Sequence, residues 1–198
     1  MLRIIAGEWR GRKLQTPAGD ATRPTADRTR ETLFSMLTSR LGSFDGLTAA
    51  DLFAGSGALG LEALSRGAAH AVFVEQDAAA IRAIRANIAA FQAAQRCDVR
   101  AASVLGLGMA KAPLDLVMLD PPYGTGAGEV AIEKLTRLGW IGEGTWISLE
   151  TAFNEEPKVR GCEVDADRKV GKARITLMRL KPVRAPETPQ PASPAPPL

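Results

Sequence analysis

Residues 48–60 read Thr48-Ala49-Ala50-Asp51-Leu52-Phe53-Ala54-Gly55-Ser56-Gly57-Ala58-Leu59-Gly60. A short apolar stretch runs here into a G-x-G-x-x-G pattern and then into helical sequence, which is the context in which this pattern binds an adenosine cofactor. The glycines let a ligand approach the backbone closely. A strand, a glycine-rich turn and a helix in this order predict the first unit of a parallel α/β sheet.

Apolar strands alternate with helices around this unit from about residue 47 to residue 150. The predicted strands are 47–53, 71–75, 97–102, 115–120 and 145–150, and their alternation with helices indicates parallel βαβ units. Residues 159–165 and 173–180 leave no room for a crossover helix between them, so we expect them to pair antiparallel at the edge of the sheet.

The two ends of the chain differ from this central pattern. Residues 2–15 carry short β-like stretches broken by Gly7 and Gly11, which predicts a small hairpin. Thr25 can cap a helix that ends at Gly42. From Pro182 onward the chain is rich in proline, which predicts a disordered tail. We therefore divide the chain into an N-terminal hairpin and helix (1–42), a main domain (43–181) and a tail (182–198).

Charge and composition limit the classes of function. The net charge is +3, but residues 1–40 hold eight Lys or Arg against four Asp or Glu. Such a basic stretch can neutralise nucleic-acid phosphates, or it can be an ordinary solvated surface. His70 is the only histidine, and Cys97 and Cys162 lack paired spacing, so we expect no metal site. The absence of a long apolar run predicts a cytoplasmic protein without a membrane span.

Two carboxylates bear on which adenosine cofactor is bound. Glu75 ends the second strand twenty residues after Gly55, where it can accept hydrogen bonds from both ribose hydroxyls. Asp51 ends the first strand, where it would repel the pyrophosphate of NAD and favour the cationic amino-acid part of S-adenosylmethionine. Asp51 can instead brace the loop by accepting backbone amides, and the sequence leaves both roles open.

The tetrapeptide Asp120-Pro121-Pro122-Tyr123 follows the fourth strand, at the edge where open α/β sheets bind ligands. The Asp120 carboxylate and the Pro121 carbonyl can accept the two hydrogens of an aromatic amine and so orient its lone pair. Pro122 helps to hold that carbonyl rigidly, and Tyr123 can stack on a base. The alternative is a simple strand-ending turn.

Taken together, Asp51-x-Phe53-x-Gly55-x-Gly57, Glu75 and Asp120-Pro121-Pro122-Tyr123 resemble the class I amino-methyltransferases. That resemblance implies an α/β, Rossmann-like fold with seven mostly parallel strands and an antiparallel hairpin at one edge. Residues 3–7, 10–14, 22–34 and 51–67 resemble the RsmD family more closely. This closer resemblance implies a monomeric enzyme that uses S-adenosylmethionine to methylate N2 of a guanine in small-subunit ribosomal RNA.

These inferences define three groups of candidate site residues. The catalytic group is Asp120, Pro121, Pro122 and Tyr123. The cofactor-binding group is Asp51, Phe53, Gly55, Gly57, Glu75, Gln76, Ser103 and Asp120. The RNA-binding group is Arg10, Arg12, Lys13, Arg23, Thr25, Arg28 and Arg30. Ser103 stands where the family usually has an aspartate that can bind the adenine amine, so either the Ser103 hydroxyl or the backbone would accept that amine, with a weaker contact.

Other functions share parts of this pattern. The tetrapeptide also occurs in methyltransferases that act on adenine N6 in DNA or on protein glutamine. The glycine-rich loop alone would suit an NAD-dependent oxidoreductase, which Asp51 argues against. The basic N-terminal stretch would equally suit a noncatalytic RNA-binding assembly factor.

Overall fold

The fold was analysed in a computed structural model, which describes residues 2–17 and 24–182, except for the side chains of residues 24–26. The strands are β1 Thr48–Leu52, β2 His70–Glu75, β3 Cys97–Ala101, β4 Leu116–Leu119, β5 Trp146–Ala152, β6 Cys162–Val170 and β7 Ala173–Leu180. The helices are α1 Pro24–Leu41, α2 Ala58–Ser65, α3 Ala78–Ala90 and α4 Ala127–Arg137. Two short 3₁₀ turns, Ala94–Arg96 and Val104–Gly106, flank β3.

All seven strands form one sheet in the order β3-β2-β1-β4-β5-β7-β6. The first five strands are mutually parallel, whereas β7 runs antiparallel to both β5 and β6. Only two residues separate β6 from β7, which is too short for a parallel crossover. The predicted fold class, including the antiparallel edge, is therefore confirmed, although β6 begins later than expected.

Helices cover both faces of the sheet, which is why β1 and β4 are apolar in nearly every position. On one face α1 and α2 bring Phe34 and Leu61 onto the strands. On the other face α4 contributes Ile132 and Leu135. Apolar burial on both sides holds the central strands in place and leaves the ends of the strands free to carry polar side chains.

The N-terminal segment folds back on itself as a short antiparallel hairpin, in which Arg3 and Lys13 form a bridge and the amides of Ile4 and Leu14 donate to the carbonyls of Arg12 (3.0 Å) and Leu2 (2.9 Å). It is fastened to α2 through Glu62, whose buried carboxylate accepts the backbone amides of Ile5 (2.8 Å) and Ala6 (3.0 Å). A Cβ on Gly7 would lie 1.8 Å from the Ser65 carbonyl oxygen, so only glycine permits this approach. The apolar side chains of the segment, including Ile4 and Trp9, pack in the same hydrophobic core as the sheet.

Helix α1 begins at Pro24, so Thr25 lies in its first turn and is not the predicted cap. Proline suits this position because its missing N–H would have no partner there. Gly42 follows the helix with a φ of +71°, at the predicted end. Residues 183–198 of the predicted tail lie outside the described residues. Among those described, no helix is long and apolar enough to span a membrane.

Candidate active site

A cleft of about 510 Å³ opens at the carboxyl ends of the parallel strands, and this volume is typical of small-molecule sites. It lies beside β1, where the strand order reverses: β2 and β3 lie on one side of β1, and the chain then returns to place β4 on the other side, which is the usual ligand position in open α/β sheets. The cleft gathers residues from four separate parts of the sequence: Phe53, Glu75, Gln76, Ser103, Asp120, Pro121, Pro122 and Tyr123. Val74, Ala102 and Val104 supply apolar surface.

The glycine-rich loop connects β1 to α2 in a tight turn. Phe53 adopts a φ of +59°, which is rare for a bulky residue, and its side chain lines the cleft. A Cβ on Gly60 would lie 2.4 Å from Cε1 of the buried Phe73 ring. The absence of a side chain at Gly60 therefore allows α2 to pack closely on the sheet, as the third glycine of such loops does. Gly55 and Gly57 support the turn but are not among the residues that line the cleft.

Asp51 lies behind the cleft wall. Its side chain is 1% exposed and accepts the Gly60 amide at 2.8 Å. The pKa of Asp51 is raised to about 7, chiefly by burial. The Gly60 hydrogen bond opposes this rise, and the negative charge of Glu75 adds to it. Of the two roles that the sequence left open, the structure displays bracing of the loop.

Glu75 is held by three backbone amides at the end of β2. Its Oε2 accepts Gly55 N at 2.9 Å, and its Oε1 accepts Gln76 N at 2.7 Å and Asp77 N at 2.9 Å. Because a carboxylate offers about four lone-pair positions, one remains on Oε2. Glu75 can therefore accept a hydrogen bond from one ribose hydroxyl in the observed arrangement. To accept hydrogen bonds from both hydroxyls, it would have to lose its hydrogen bond with the Gly55 amide.

Asp120 extends the pairing of β4 with β1, since its amide donates to the Leu52 carbonyl at 3.3 Å. Although the residue opens to the cleft, surrounding protein displaces water from its carboxylate. This desolvation, followed by the negative charges of Glu150 and Asp51, raises the pKa of Asp120 well above its ordinary value. A raised pKa makes the ionised carboxylate a stronger proton acceptor than an ordinary aspartate.

The prolines present their carbonyls differently. The Pro122 carbonyl accepts the Thr125 hydroxyl at 2.7 Å. Within the described part of the chain, no donor reaches the Pro121 carbonyl. Pro121 therefore offers a fixed and unused acceptor next to Asp120.

Glu150, on β5, is a site residue that the sequence reasoning missed. The hydroxyl of Tyr123 donates to its carboxylate, and the Tyr123 side chain remains 45% exposed. Burial raises the pKa of Glu150, and the Tyr123 hydrogen bond opposes that shift. The available signal was a lone acidic residue near the carboxyl end of the strand next to β4.

The carboxylates of Asp51, Glu75, Asp120 and Glu150 share an electrostatic feature. None of them belongs to an ion pair among the residues that the structure describes. Asp51, Asp120 and Glu150 also have raised pKa values. These four carboxylates therefore lie in or beside the cleft, and no basic side chain among the described residues pairs with them.

The predicted RNA-binding residues have different environments. Arg10, Lys13 and Arg28 are exposed. Arg12 is also exposed, but its guanidinium lies 4.3 Å from the Phe91 ring centroid and donates to the Ala90 carbonyl. The exposed residues can reach a polyanion without rearrangement, whereas Arg12 would have to give up its intramolecular contacts.

Arg30 is not placed for the predicted contact with RNA. Its side chain is 5% exposed, donates to the Arg3 carbonyl and pairs with Asp27 at 3.2 Å. Arg30 faces inward because it shares the helix face of buried Phe34, one turn away. Arg23 and the side chain of Thr25 lie outside the described residues.

Comparisons with known proteins agree with this architecture. A profile of the family described as Conserved hypothetical protein 95 matches residues 2–179. Ribosomal RNA small subunit methyltransferase D of Escherichia coli K12 is 41% identical over 150 residues, which cover 76% of this chain and 74% of that protein. The chain belongs to the RsmD family. The Haemophilus influenzae protein of the same name is 38% identical to this RsmD-family chain over 158 residues, covering 76% of this chain and 78% of its own.

Solved structures extend the similarity to nearly the whole RsmD-family chain. The putative methyltransferase yhhF from Escherichia coli is 37% identical, with a TM-score of 0.79, and the match covers 91% of this chain and 98% of that one. A putative methylase from Haemophilus influenzae is 31% identical, with a TM-score of 0.75 and coverages of 90% and 98%. The magnesium protoporphyrin IX methyltransferase of Synechocystis, solved with bound SAM, shares only the fold at 13% identity and a TM-score of 0.61.

Proposed function

We propose that this chain is an S-adenosylmethionine-dependent methyltransferase that modifies the exocyclic N2 amine of a guanine in small-subunit ribosomal RNA. The observation that carries the proposal is the cleft itself. It places carboxylates that form no ion pair with a described residue beside a rigid Asp-Pro-Pro-Tyr segment, whose Pro121 carbonyl receives no hydrogen bond from a described donor. One side of this arrangement suits a cationic cofactor, and the other suits a flat aromatic amine.

The residues present fit S-adenosylmethionine. This cofactor carries a sulfonium and an ammonium, both of which the negative potential around Asp51 and Asp120 would attract. The pyrophosphate of NAD would add to the repulsion instead. Glu75 retains an acceptor for a ribose hydroxyl, and the Ser103 hydroxyl makes no capping hydrogen bond and is available to the adenine. When bound, the cofactor supplies a methyl group on a positively charged sulfur.

The protein's own task is to orient and deprotonate the target amine. Asp120 and the Pro121 carbonyl would each accept one amine hydrogen, which directs the nitrogen lone pair towards the methyl donor. The raised pKa of Asp120 lets it take up the proton released as the nitrogen is methylated. Tyr123 offers an exposed ring for stacking, typically worth about 1–3 kcal/mol per base. A base within a helix would have to be flipped out to reach this ring.

Membership of the RsmD family supports ribosomal RNA as the substrate, since relatives at 38–41% identity are named for small-subunit ribosomal RNA. The exposed Arg10, Lys13 and Arg28 provide positive charge for such a polyanion. We propose that the enzyme acts as a monomer in the cytoplasm. The main alternatives are adenine N6 in DNA and the side-chain amide of a protein glutamine.

The proposal is tested by tritium transfer from methyl-labelled S-adenosylmethionine to deproteinised small-subunit ribosomal RNA from a strain that lacks this protein. Digestion to nucleosides should yield labelled N2-methylguanosine. RNA transcribed with inosine in place of guanosine lacks the N2 amine and should accept no label. Label in DNA or in protein, with none in RNA, would replace the proposal by one of the alternatives.

A noncatalytic role is tested with Asp120→Ala. This variant should bind RNA as the wild type does and transfer no methyl group, because it loses the acceptor of the amine proton. Retained methylation by Asp120→Ala would contradict the proposed role of the carboxylate. An inactive wild type that still binds RNA would favour an assembly factor.

A further inference from the structure

A second cavity, of about 720 Å³, runs between α1 and the β6–β7 hairpin. Its charged lining residues are Arg28, Glu31, Arg40, Arg168 and Lys169, and we call it the α1–hairpin groove. We infer that this groove binds the phosphate backbone of the RNA strand that flanks the target base. The inference rests on the proposed function and extends the RNA-binding surface from Arg28, which lines the groove, to the β6–β7 hairpin.

The charge of the groove suits phosphates. Four of its charged lining residues are basic and one, Glu31, is acidic. Arg40 is paired with Asp165 at 2.7 Å. In the described part of the chain no carboxylate lies within salt-bridge distance of Arg28, Arg168 or Lys169. These three side chains therefore carry positive charge that no described carboxylate neutralises through an ion pair.

The register of the sheet places the groove beside the active site. Glu150 on β5 pairs with Ile175 on β7, and Ile175 pairs with Arg168 on β6. Directly paired residues project from the same face of a sheet, so Arg168 and Glu150 flank Ile175 on the face that α1 covers. Two strand spacings separate them, which is about 10 Å.

The hairpin turn also lies at the same edge of the sheet as the cleft. The Phe153 amide, just beyond β5, donates to the Lys172 carbonyl in that turn at 2.8 Å. Phosphates follow one another about every 3.4 Å along the axis of a double helix, and an extended single strand spaces them more widely. Tyr123 is hydrogen-bonded to Glu150, so a strand whose target base stacks on Tyr123 would reach Arg168 within its next few nucleotides.

An exposed aromatic ring favours RNA over an acidic protein as the occupant. Phe153 is 47% exposed, and the Lys169 ammonium lies 4.5 Å from its ring centroid. Alternating cationic and aromatic side chains are typical of surfaces that bind single-stranded nucleic acid, since bases stack while phosphates pair with the charges. Charges on an edge strand such as β6 also prevent unwanted strand pairing. If the charges served only to prevent strand pairing, their removal would not change the affinity for RNA.

The test compares two double variants that remove the same charge. Arg168→Gln with Lys169→Gln neutralises the groove. Lys111→Gln with Arg137→Gln neutralises two exposed residues at the opposite edge of the sheet, one in the loop before β4 and one in the last turn of α4. Affinity for deproteinised small-subunit ribosomal RNA is measured by fluorescence anisotropy between 50 and 400 mM KCl. Thermal melting of each variant verifies that it is folded.

Loss of two phosphate contacts should lower the log–log salt slope by about 1.4 in the groove variant, at about 0.7 per contact with a single strand. Its Kd at 0.1 M salt should rise about 25-fold, with the difference vanishing towards 1 M. The control variant should match the wild type. Arg28→Gln, across the groove, should lower the slope by a further ~0.7.

Single-turnover methylation at saturating RNA should be unchanged in the groove variant, because neither residue lines the cleft. An unchanged salt slope would overturn the inference. So would a variant that binds deproteinised RNA normally but binds the small ribosomal subunit weakly, since the partner would then be a ribosomal protein. If the affinity for RNA depends on the groove but the protein methylates no RNA, the proposed function would be refuted while the inference that the groove binds RNA would be supported.

Discussion

Replacing Asp51 by asparagine separates the two roles that this carboxylate can have. Asparagine keeps the size of the side chain and an oxygen that accepts the Gly60 amide, but it cannot ionise. In the wild type, burial raises the pKa of Asp51 to about 7. The folded protein therefore holds this proton up to about pH 7, whereas the unfolded chain releases it near pH 4. The contribution of Asp51 to stability is fully present below that lower value and is lost as the pH rises through 7.

The size of the effect follows from the pKa difference. A rise from 3.8 to about 7, at 1.36 kcal/mol per unit, amounts to about 4 kcal/mol over the whole range. Between pH 5 and pH 8 the wild type should lose about 3 kcal/mol of unfolding free energy through this group. Asp51→Asn loses none of it. The difference in unfolding free energy between the two proteins should therefore shift by about 3 kcal/mol in favour of the variant.

Urea denaturation of both proteins at pH 5 and pH 8 measures this difference. Glu143→Gln, which neutralises an exposed carboxylate, serves as the control and should show no such shift. A stability difference that does not change with pH would refute the assignment of a neutral, buried Asp51 below pH 7.

Cofactor binding provides the second arm of the same experiment. If a cationic ligand needs ionised Asp51, the wild-type affinity for S-adenosylmethionine should gain about tenfold from this group between pH 6 and pH 8. The ratio of wild-type to Asp51→Asn affinity isolates that gain, because Asp120, Glu150 and the cofactor titrate in both proteins. Equal affinities at every pH, measured by calorimetry, would show that Asp51 only braces the loop.

Two further predictions concern hydrogen bonds made by buried or half-buried carboxylates. Tyr123→Phe and Glu150→Ala should each lower kcat/KM by about 10- to 100-fold, which is about 1.4–2.7 kcal/mol, because Glu150 acts by holding the Tyr123 ring through its hydroxyl. A double-mutant cycle should give a coupling of about the same size as either single effect. Additive effects would show that the two residues act separately. Glu62→Gln should lower the free energy of unfolding by about 3 kcal/mol, because it leaves a backbone amide and Arg66 without their charged acceptor. The matched change Glu31→Gln, on the exposed face of α1, should alter the urea midpoint little, and similar midpoints for both variants would contradict the clamp assigned to Glu62.

The sequence by itself determined the parts of the protein whose interactions are local. The strand, turn and helix around Gly55 are encoded within a few residues, as is the rigid turn at Pro121 and Pro122. The alternation of apolar strands with helices predicts parallel strands, and the connection before Ala173, which leaves no room for a crossover helix, predicts an antiparallel hairpin. The same short-range logic places Glu75 and Asp120 at the edge of the sheet where ligands bind.

Only the tertiary structure decided which side chains the cleft uses and which it conceals. In the sequence Arg30 looks like another exposed arginine. In the structure, α1 packs against the N-terminal segment, and the Arg30 guanidinium donates to the Arg3 carbonyl. The pairing of Glu150, on β5, with Tyr123, in the turn that follows β4, joins residues that are 27 positions apart in the chain. The protonation state of Asp51 depends on α2 covering it. Burial and charge pairing are set by residues distant in sequence, and a local pattern carries no information about them until the chain has folded.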